Sequence, residues 1–217
     1  MNFNIQYNQN LKPLYGNREN DFEIFFINLI RYLKYFKIFD INKETKILDL
    51  GSADNSFEKI VKKKFDIDLD SFNNPNCNFE NDLINIKDQF YDVIIFKAVI
   101  EHIRNPNNIL HNIKRSLKKD GILIITTSNH NYQIKEFWND PTHVHPYNPV
   151  SLKKLLDIFE FRNVSVRPFA FRKPSFYWKL PFWFISKIPF KNHTFNNFPI
   201  PGILRGHSTV MIATAIK

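Results

Sequence analysis

Apolar and polar positions recur along this chain with two periods, and the changes of period mark out its elements. Phe22, Phe25, Phe26, Leu29, Leu33 and Phe36 follow helical spacing, with Arg31, Lys34 and Lys37 on a wetter side. That pattern predicts an amphipathic helix covering the core. Asn20 with Glu23 resembles a capping box at its start. Residues 1–19 show no period, which predicts an irregular arm. The apolar run Lys46-Ile47-Leu48-Asp49-Leu50, interrupted by one carboxylate, reads as a buried parallel strand. Gly51 breaks it. Phe57, Ile60 and Val61 then begin a helix capped by Asn55 or Ser56 and running to about Lys64.

Phe65 to Asp70 alternates polar and apolar residues, predicting a second strand with carboxylates at its end. A weak third strand is expected near Phe79, leading into Asn81-Asp82-Leu83. Tyr91 to Phe96 is the clearest buried strand. Asn105 and Pro106 suit the start of a helix with Ile109, Leu110, Ile113 and Leu117 inward. Lys118, Lys119 and Gly121 suit its end. Gly121–Thr127 follows as a strand. Asn148 and Pro149 begin another helix with Leu152, Leu155, Leu156 and Phe159 inward, and Val164–Val166 and Ser208–Ile216 read as strands. Strands alternating with helices predict an α/β fold built from βαβ units.

Ligands of such sheets bind at the carboxyl ends of the strands. Asp49 is costly to bury without a partner, and the helix after Gly51 begins with unpaired N–H groups. The turn after Gly51 is therefore expected to be a cofactor loop. Asp68, near the expected end of the second strand, could accept hydrogen bonds from both hydroxyls of a ribose.

The chain has 217 residues and suits one domain with an elaboration. Its single cysteine, Cys77, excludes disulfides within the chain and thiolate metal cages. No basic, then apolar leader is visible, and no run approaches the roughly 20 apolar residues that span a bilayer; a cytoplasmic protein is expected. The net charge of +9 falls entirely after Glu160, where nine basic residues meet no acidic one. The stretch from Phe169 to Phe198 is crowded with Phe and Trp and broken by Pro174, Pro181 and Pro189. An anionic partner or a membrane surface would suit this segment; covering the sheet or an acceptor pocket is the plainer reading.

In this order the pieces resemble the class I S-adenosylmethionine-dependent methyltransferases, and most closely their small bacterial members. The resemblance rests on ILDLGSADNSF, FDIDLD, NDLINI, YDVIIFKAVIEHIRNPNNILHNIKRSLKKDGILIITTSN and DPTHVHPYNPVSLKKLL. It covers about Lys46 to Phe161, with a return at Ser208 to Lys217. It implies a Rossmann-like, mostly parallel sheet with helices on both faces, an antiparallel last strand and an aromatic, basic insertion before it. The chain would be one methyltransferase domain: an arm and helix over 1–40, a cofactor core over 46–166, a lobe over 167–207 and a final strand over 208–217.

The resemblance also implies site roles. Gly51, with Ser52 beside it, would let the backbone approach the methionine part of the cofactor, which Asp49 orients. Asp68 would hold the ribose, and Asp82 and the backbone of Leu83 the adenine. Lys97 would lie beside the cofactor, and Glu101-His102 would shape the floor between cofactor and acceptor. Ala53 and Asn55 stand where the family usually carries further glycines.

Methyl transfer from a sulfonium is chiefly a matter of alignment. A hydroxyl acceptor would add a general base, for which His102, His143 and His145 are candidates. Asp140, His143 and His145 are also metal-binding residue types, but the transfer needs no metal and none is expected. A dehydrogenase needs a third glycine that GSADNSFE lacks. A nucleic-acid-binding module using the basic segment, or a non-catalytic relative, is the alternative. The neutral core argues against nucleic-acid binding as the sole function, and the Asn/Asp-Pro-Pro-aromatic run of amino-methylating DNA enzymes is absent. The acceptor is expected to be a small molecule, a glycan or a lipid intermediate.

Overall fold

The computed structural model describes residues 18–52, 54–72, 74, 76–169, 175–181, 194–195, 198–199 and 210–217. Its helices are α1 (Arg18–Tyr35), α2 (Ser56–Phe65), α3 (Asn107–Ser116), α4 (Ile134–Phe137) and α5 (Pro149–Ile158). Its strands are β1 (Ile47–Leu50), β2 (Leu69–Phe72), β3 (Tyr91–Lys97), β4 (Leu117–Ser128), β5 (Arg162–Pro168), β6 (Thr194–Phe195), β7 (Phe198–Pro199) and β8 (Val210–Ile216). Short 3-10 turns lie at Ile100–His102 and Ser175–Lys179.

Six strands form one sheet in the order β2-β1-β3-β4-β8-β5. The first four run parallel, and β8 is antiparallel to both β4 and β5. Side chains alternate between faces along each strand, and both faces are apolar. Ile47, Val93, Ile95, Ile122, Ile124 and Ile212 meet Phe25, Phe26, Leu29 and Leu33 of α1 and Phe57 and Val61 of α2. Leu48, Leu50, Ile94, Phe96, Leu123 and Ile125 meet Ile109 and Ile113 of α3 and Leu152 and Leu156 of α5. A sheet buried on both sides loses the polar alternation of a half-exposed one, which is why β1 and β3 read as continuous apolar runs.

Several boundaries differ from the sequence pattern. α1 already includes Asn20, so the predicted capping box lies inside the helix. α2 runs through Phe65 and closes on Asp66 in a left-handed conformation (φ 55), which delays β2 to Leu69. The expected strand near Phe79 is a turn, with Asp82 N–H donating to the Asn78 carbonyl at 2.8 Å. α3 stops at Ser116, and Leu117 to Asp120 already belong to β4. The register with β3 shifts there, from Tyr91↔Leu117 to Val93↔Ile122. Sheet pairing thus takes residues that look like a helix end.

The segment taken as a separate lobe over 167–207 begins inside the core. Arg167 and Pro168 extend β5, and Phe169 and Trp178 are buried against Tyr32 of α1, with ring centroids 5.7 and 5.4 Å away. Most of the remaining lobe and the arm over residues 1–17 lie outside the described residues.

Candidate active site

The chain leaves β1 for β2 on one side and returns to β3 on the other, so the loops after β1 and β3 diverge at a topological switch point. Gly51 sits there with φ +86, a conformation that side chains disfavour. A Cβ at this position would lie 2.7 Å from Val99 Cγ2 and 3.5 Å from Phe79 Cε2. The Gly51 N–H donates to the Phe72 carbonyl at 3.3 Å. The loop after β1 therefore lies against the loop after β3 with no room for a side chain between them. Ser52 Oγ donates to the Asp54 carbonyl, and the Ser56 N–H donates to Asp54 Oδ1 at 3.0 Å. Asp54, in place of the expected Asn55 or Ser56, thus serves the open start of α2.

Asp49 is 6% exposed, and burial pushes its carboxyl up to about 6. Lys97 and the Ser52 hydroxyl pull it down, while Asp54 and Glu58 push the other way. Lys97 ends β3, two residues beyond Ile95, the partner of Asp49 across the strands. Its Nζ lies 4.9 Å above the Phe22 ring and 5.5 Å above Phe25. The first helix, read from sequence as pure cover, therefore supplies the wall over this lysine. Phe25 and Lys97 also line a cavity of about 130 Å³ with Glu101, Thr127, Phe169 and Val210. Asp49, Gly51, Ser52 and Lys97 are thus brought together as expected.

Asp68 is not. It precedes β2 and pairs with Lys62 at 2.9 Å, lining a hollow with Lys46 and Tyr91 at the amino ends of the strands. The carboxyl end of β2 is Ser71-Phe72, opposite Asp49-Leu50. The ribose role assigned to Asp68 is therefore corrected: α2 and its left-handed cap take Phe65 and Asp66, and β2 starts only at Leu69, beyond Asp68. Asp82 and Leu83 are exposed in the turn after Phe79. The Asp82 carboxylate accepts the Asn78 N–H at 2.7 Å, and its carbonyl accepts from Asn108 at 2.8 Å.

A second group of side chains gathers where the loop 138–148 folds over the turn after β3. The Glu101 carbonyl accepts the Val144 and His145 N–H groups at 2.9 and 3.1 Å. This docks the loop. The Glu101 side chain is 3% exposed and accepts from Thr127 Oγ1 at 2.8 Å; burial pushes its carboxyl upward. The His102 and His143 rings lie 4.8 Å apart. His143 Nδ1 lies 2.7 Å from the Phe137 carbonyl, which can only accept, so Nδ1 carries the hydrogen. His102 Nδ1 faces Thr142 Oγ1 at 2.8 Å and the Thr142 carbonyl at 3.2 Å. The Thr142 hydroxyl donates its one hydrogen to Asp140 Oδ1 at 2.6 Å. Both oxygens therefore accept, and His102 Nδ1 is also the protonated nitrogen. In the neutral rings both Nε2 atoms keep free lone pairs. His145 is elsewhere: its ring stacks on Tyr147 at 4.3 Å, and its Nδ1 lies 3.4 Å from the Arg104 carbonyl. Thr127 and Thr142 were not singled out by sequence spacing as partners of this cluster, because strand pairing and loop docking create it.

Comparison with known proteins identifies the class. Residues 23–166 match a family model described as a methyltransferase domain. The chain belongs to that family and is a class I, Rossmann-like S-adenosylmethionine-dependent methyltransferase domain. Among solved structures, the plantazolicin methyltransferase in complex with SAH is 16% identical with a TM-score of 0.58, over 96% of this chain and 89% of that one. The Haemonchus contortus phosphoethanolamine N-methyltransferase 2 in complex with S-adenosyl-L-methionine is 14% identical, TM-score 0.55, over 88% of this chain and 52% of that one. A SAM-dependent methyltransferase from Archaeoglobus fulgidus is 17% identical, TM-score 0.52, over 92% and 97%. No curated protein sequence matches the chain.

Proposed function

We propose that the chain transfers the methyl group of S-adenosylmethionine to a small-molecule, glycan or lipid acceptor bound over the ends of β3 and β4. The observation that carries this reading is the Gly51 loop beside the buried Asp49 carboxylate. Gly51 lets the loop after β1 pack directly on Val99 of the loop after β3, and a cationic ligand beside Asp49 would offset the cost of ionising it. S-adenosylmethionine has both an ammonium and a sulfonium, so the residues present suit it. Asp49, Gly51, Ser52 and Lys97 would hold its methionine end, and Asp82 with the Leu83 backbone its adenine. When bound, the cofactor supplies an activated methyl and a neutral thioether leaving group.

The chain's own contribution is placement. Phe25, Phe169 and Val210 give the cavity beside Lys97 apolar walls, and Glu101 with His102 and His143 presents polar groups to the acceptor side. Apolar walls favour an acceptor with an apolar body, and the basic segment after Glu160 favours one that carries negative charge. We place the reaction in the cytoplasm, at the membrane surface where the acceptor is a lipid. Among the described residues, no helix is long and apolar enough to cross a membrane.

Titration calorimetry of the purified chain tests the reading. S-adenosylmethionine is expected to bind one molecule per chain and NAD not to compete. Binding of NAD with no binding of S-adenosylmethionine would overturn it.

A further inference from the structure

The cluster of Glu101, His102 and His143 has a feature that methyl transfer does not require. One donor atom from each of the three residues lies within 4.8 Å of the others. Each imidazole is anchored through Nδ1 to an oxygen that accepts its hydrogen, His143 to Phe137 and His102 to Thr142. Thr142 is in turn held by Asp140, whose Oδ1 takes the Thr142 hydroxyl hydrogen. This is the arrangement by which metal-bound histidines are oriented: the far nitrogen is tied to a carbonyl or a hydrogen-bonded partner, and the near one keeps its lone pair for the ion. Glu101 is likewise steadied, by Thr127 on Oε2. An ion at their centre would take a lone pair from each imidazole and an oxygen from the carboxylate.

We propose that Glu101, His102 and His143 form the binding site of a single divalent first-row metal ion, with zinc(II) the best match to two imidazoles and one carboxylate. Such an ion takes its ligands at about 2.0–2.2 Å, which places neighbouring donor atoms roughly 3–3.5 Å apart. The spacing of up to 4.8 Å therefore tightens by about 1.5 Å on binding. Asp140 Oδ2 stands 4.0 Å from His143 Nε2, within reach of a fourth position. Three protein ligands otherwise leave a position open, and Glu101 also lines the cavity beside Lys97. The ion would thus present itself to an acceptor bearing oxygen donors, such as a vicinal diol or a carboxylate. That last link rests on the methyl-transfer reading; binding of the ion does not.

The test is calorimetry of zinc chloride into the full chain after treatment with a chelator, with cobalt(II) absorption as a second readout. One ion per chain is expected, with visible cobalt bands of a site containing nitrogen and oxygen ligands. Glu101→Gln and His143→Ala are each expected to weaken binding at least 10-fold, and His145→Ala to leave it unchanged. His143 is only partly buried, so His143→Ala keeps the test decisive should the buried Glu101 variant fold poorly; circular dichroism reports folding of each. Absence of stoichiometric binding, or binding that survives His143→Ala in a folded chain, would overturn the site. S-adenosylmethionine affinity is measured on the same samples. Its loss with zinc binding intact would sink the methyl-transfer reading and leave the ion site standing.

Discussion

Asp49 shows how one residue couples folding to binding. Its carboxyl is held near 6 by burial against an ordinary value of 3.8, so the folded chain binds that proton more tightly than the unfolded one. The associated stability is fully present below about pH 4 and is lost as pH rises through 6, a change on the order of 3 kcal/mol. Asp49→Asn removes the charge at nearly constant shape. It is expected to raise stability at pH 7 and to flatten the urea-midpoint profile between pH 4 and 6. The same variant is expected to bind S-adenosylmethionine more weakly, since the proposed role of the buried charge is to attract the ligand's cation. A variant no more stable than the parent at pH 7 would contradict the burial argument. Gly51 is the steric counterpart: Val99 occupies the space that any Cβ would need.

At the scale of elements, the termini decide where chemistry falls. α5 begins as its sequence predicts, with Asn148 Oδ1 accepting the Val150 and Ser151 N–H groups at 3.0 and 2.9 Å. Ser151 Oγ returns the favour to the Asn148 N–H at 2.9 Å. Removing such a cap costs about 1 kcal/mol. Asn148→Ala is therefore expected to lower the urea-unfolding free energy by about that amount with S-adenosylmethionine affinity unchanged, because the cap bonds of Asn148 are made to residues of its own helix. The end of α2 has the opposite lesson. Its end at Phe65 and the left-handed Asp66 place Asp68 against Lys62, and the acidic residue expected at the carboxyl rim is displaced to the other end of the sheet.

On the scale of the whole molecule, charge and aromatic content separate. The charge of +9 lies after Glu160, yet the described part of that segment is largely structural. Phe169 and Trp178 pack on α1, and the Lys179 ammonium lies 5.0 Å above the Tyr35 ring. Lys187 and Lys191 lie outside the described residues. Neutralising Lys179, Lys187 and Lys191 together is expected to leave S-adenosylmethionine binding intact and to lower methyl transfer to an anionic acceptor. Added salt should weaken the parent enzyme in the same way, since exposed charges are screened within about 10 Å at 0.1 M. Equal loss of cofactor binding and transfer would assign the segment to the cofactor site instead.

What the sequence determined by itself was the fold class and both crossovers, and the resemblance it carries named Asp49, Gly51 and Lys97. The crossovers follow from local periodicity and from loops of a few residues, where spacing along the chain is nearly spacing in space. Tertiary structure decided the rest. Whether Phe65 belongs to a helix or a strand depends on pairing with β1, and sequence alternation is blind to that. Glu101, Thr127, Phe137, Thr142 and His143 meet only because β4 runs beside β3 and the loop 138–148 folds back onto the Glu101 carbonyl. The ring nitrogens of His102 and His143 are assigned by partners up to 40 residues away. No local pattern encodes such a contact, because its free energy is gained only after the sheet has closed.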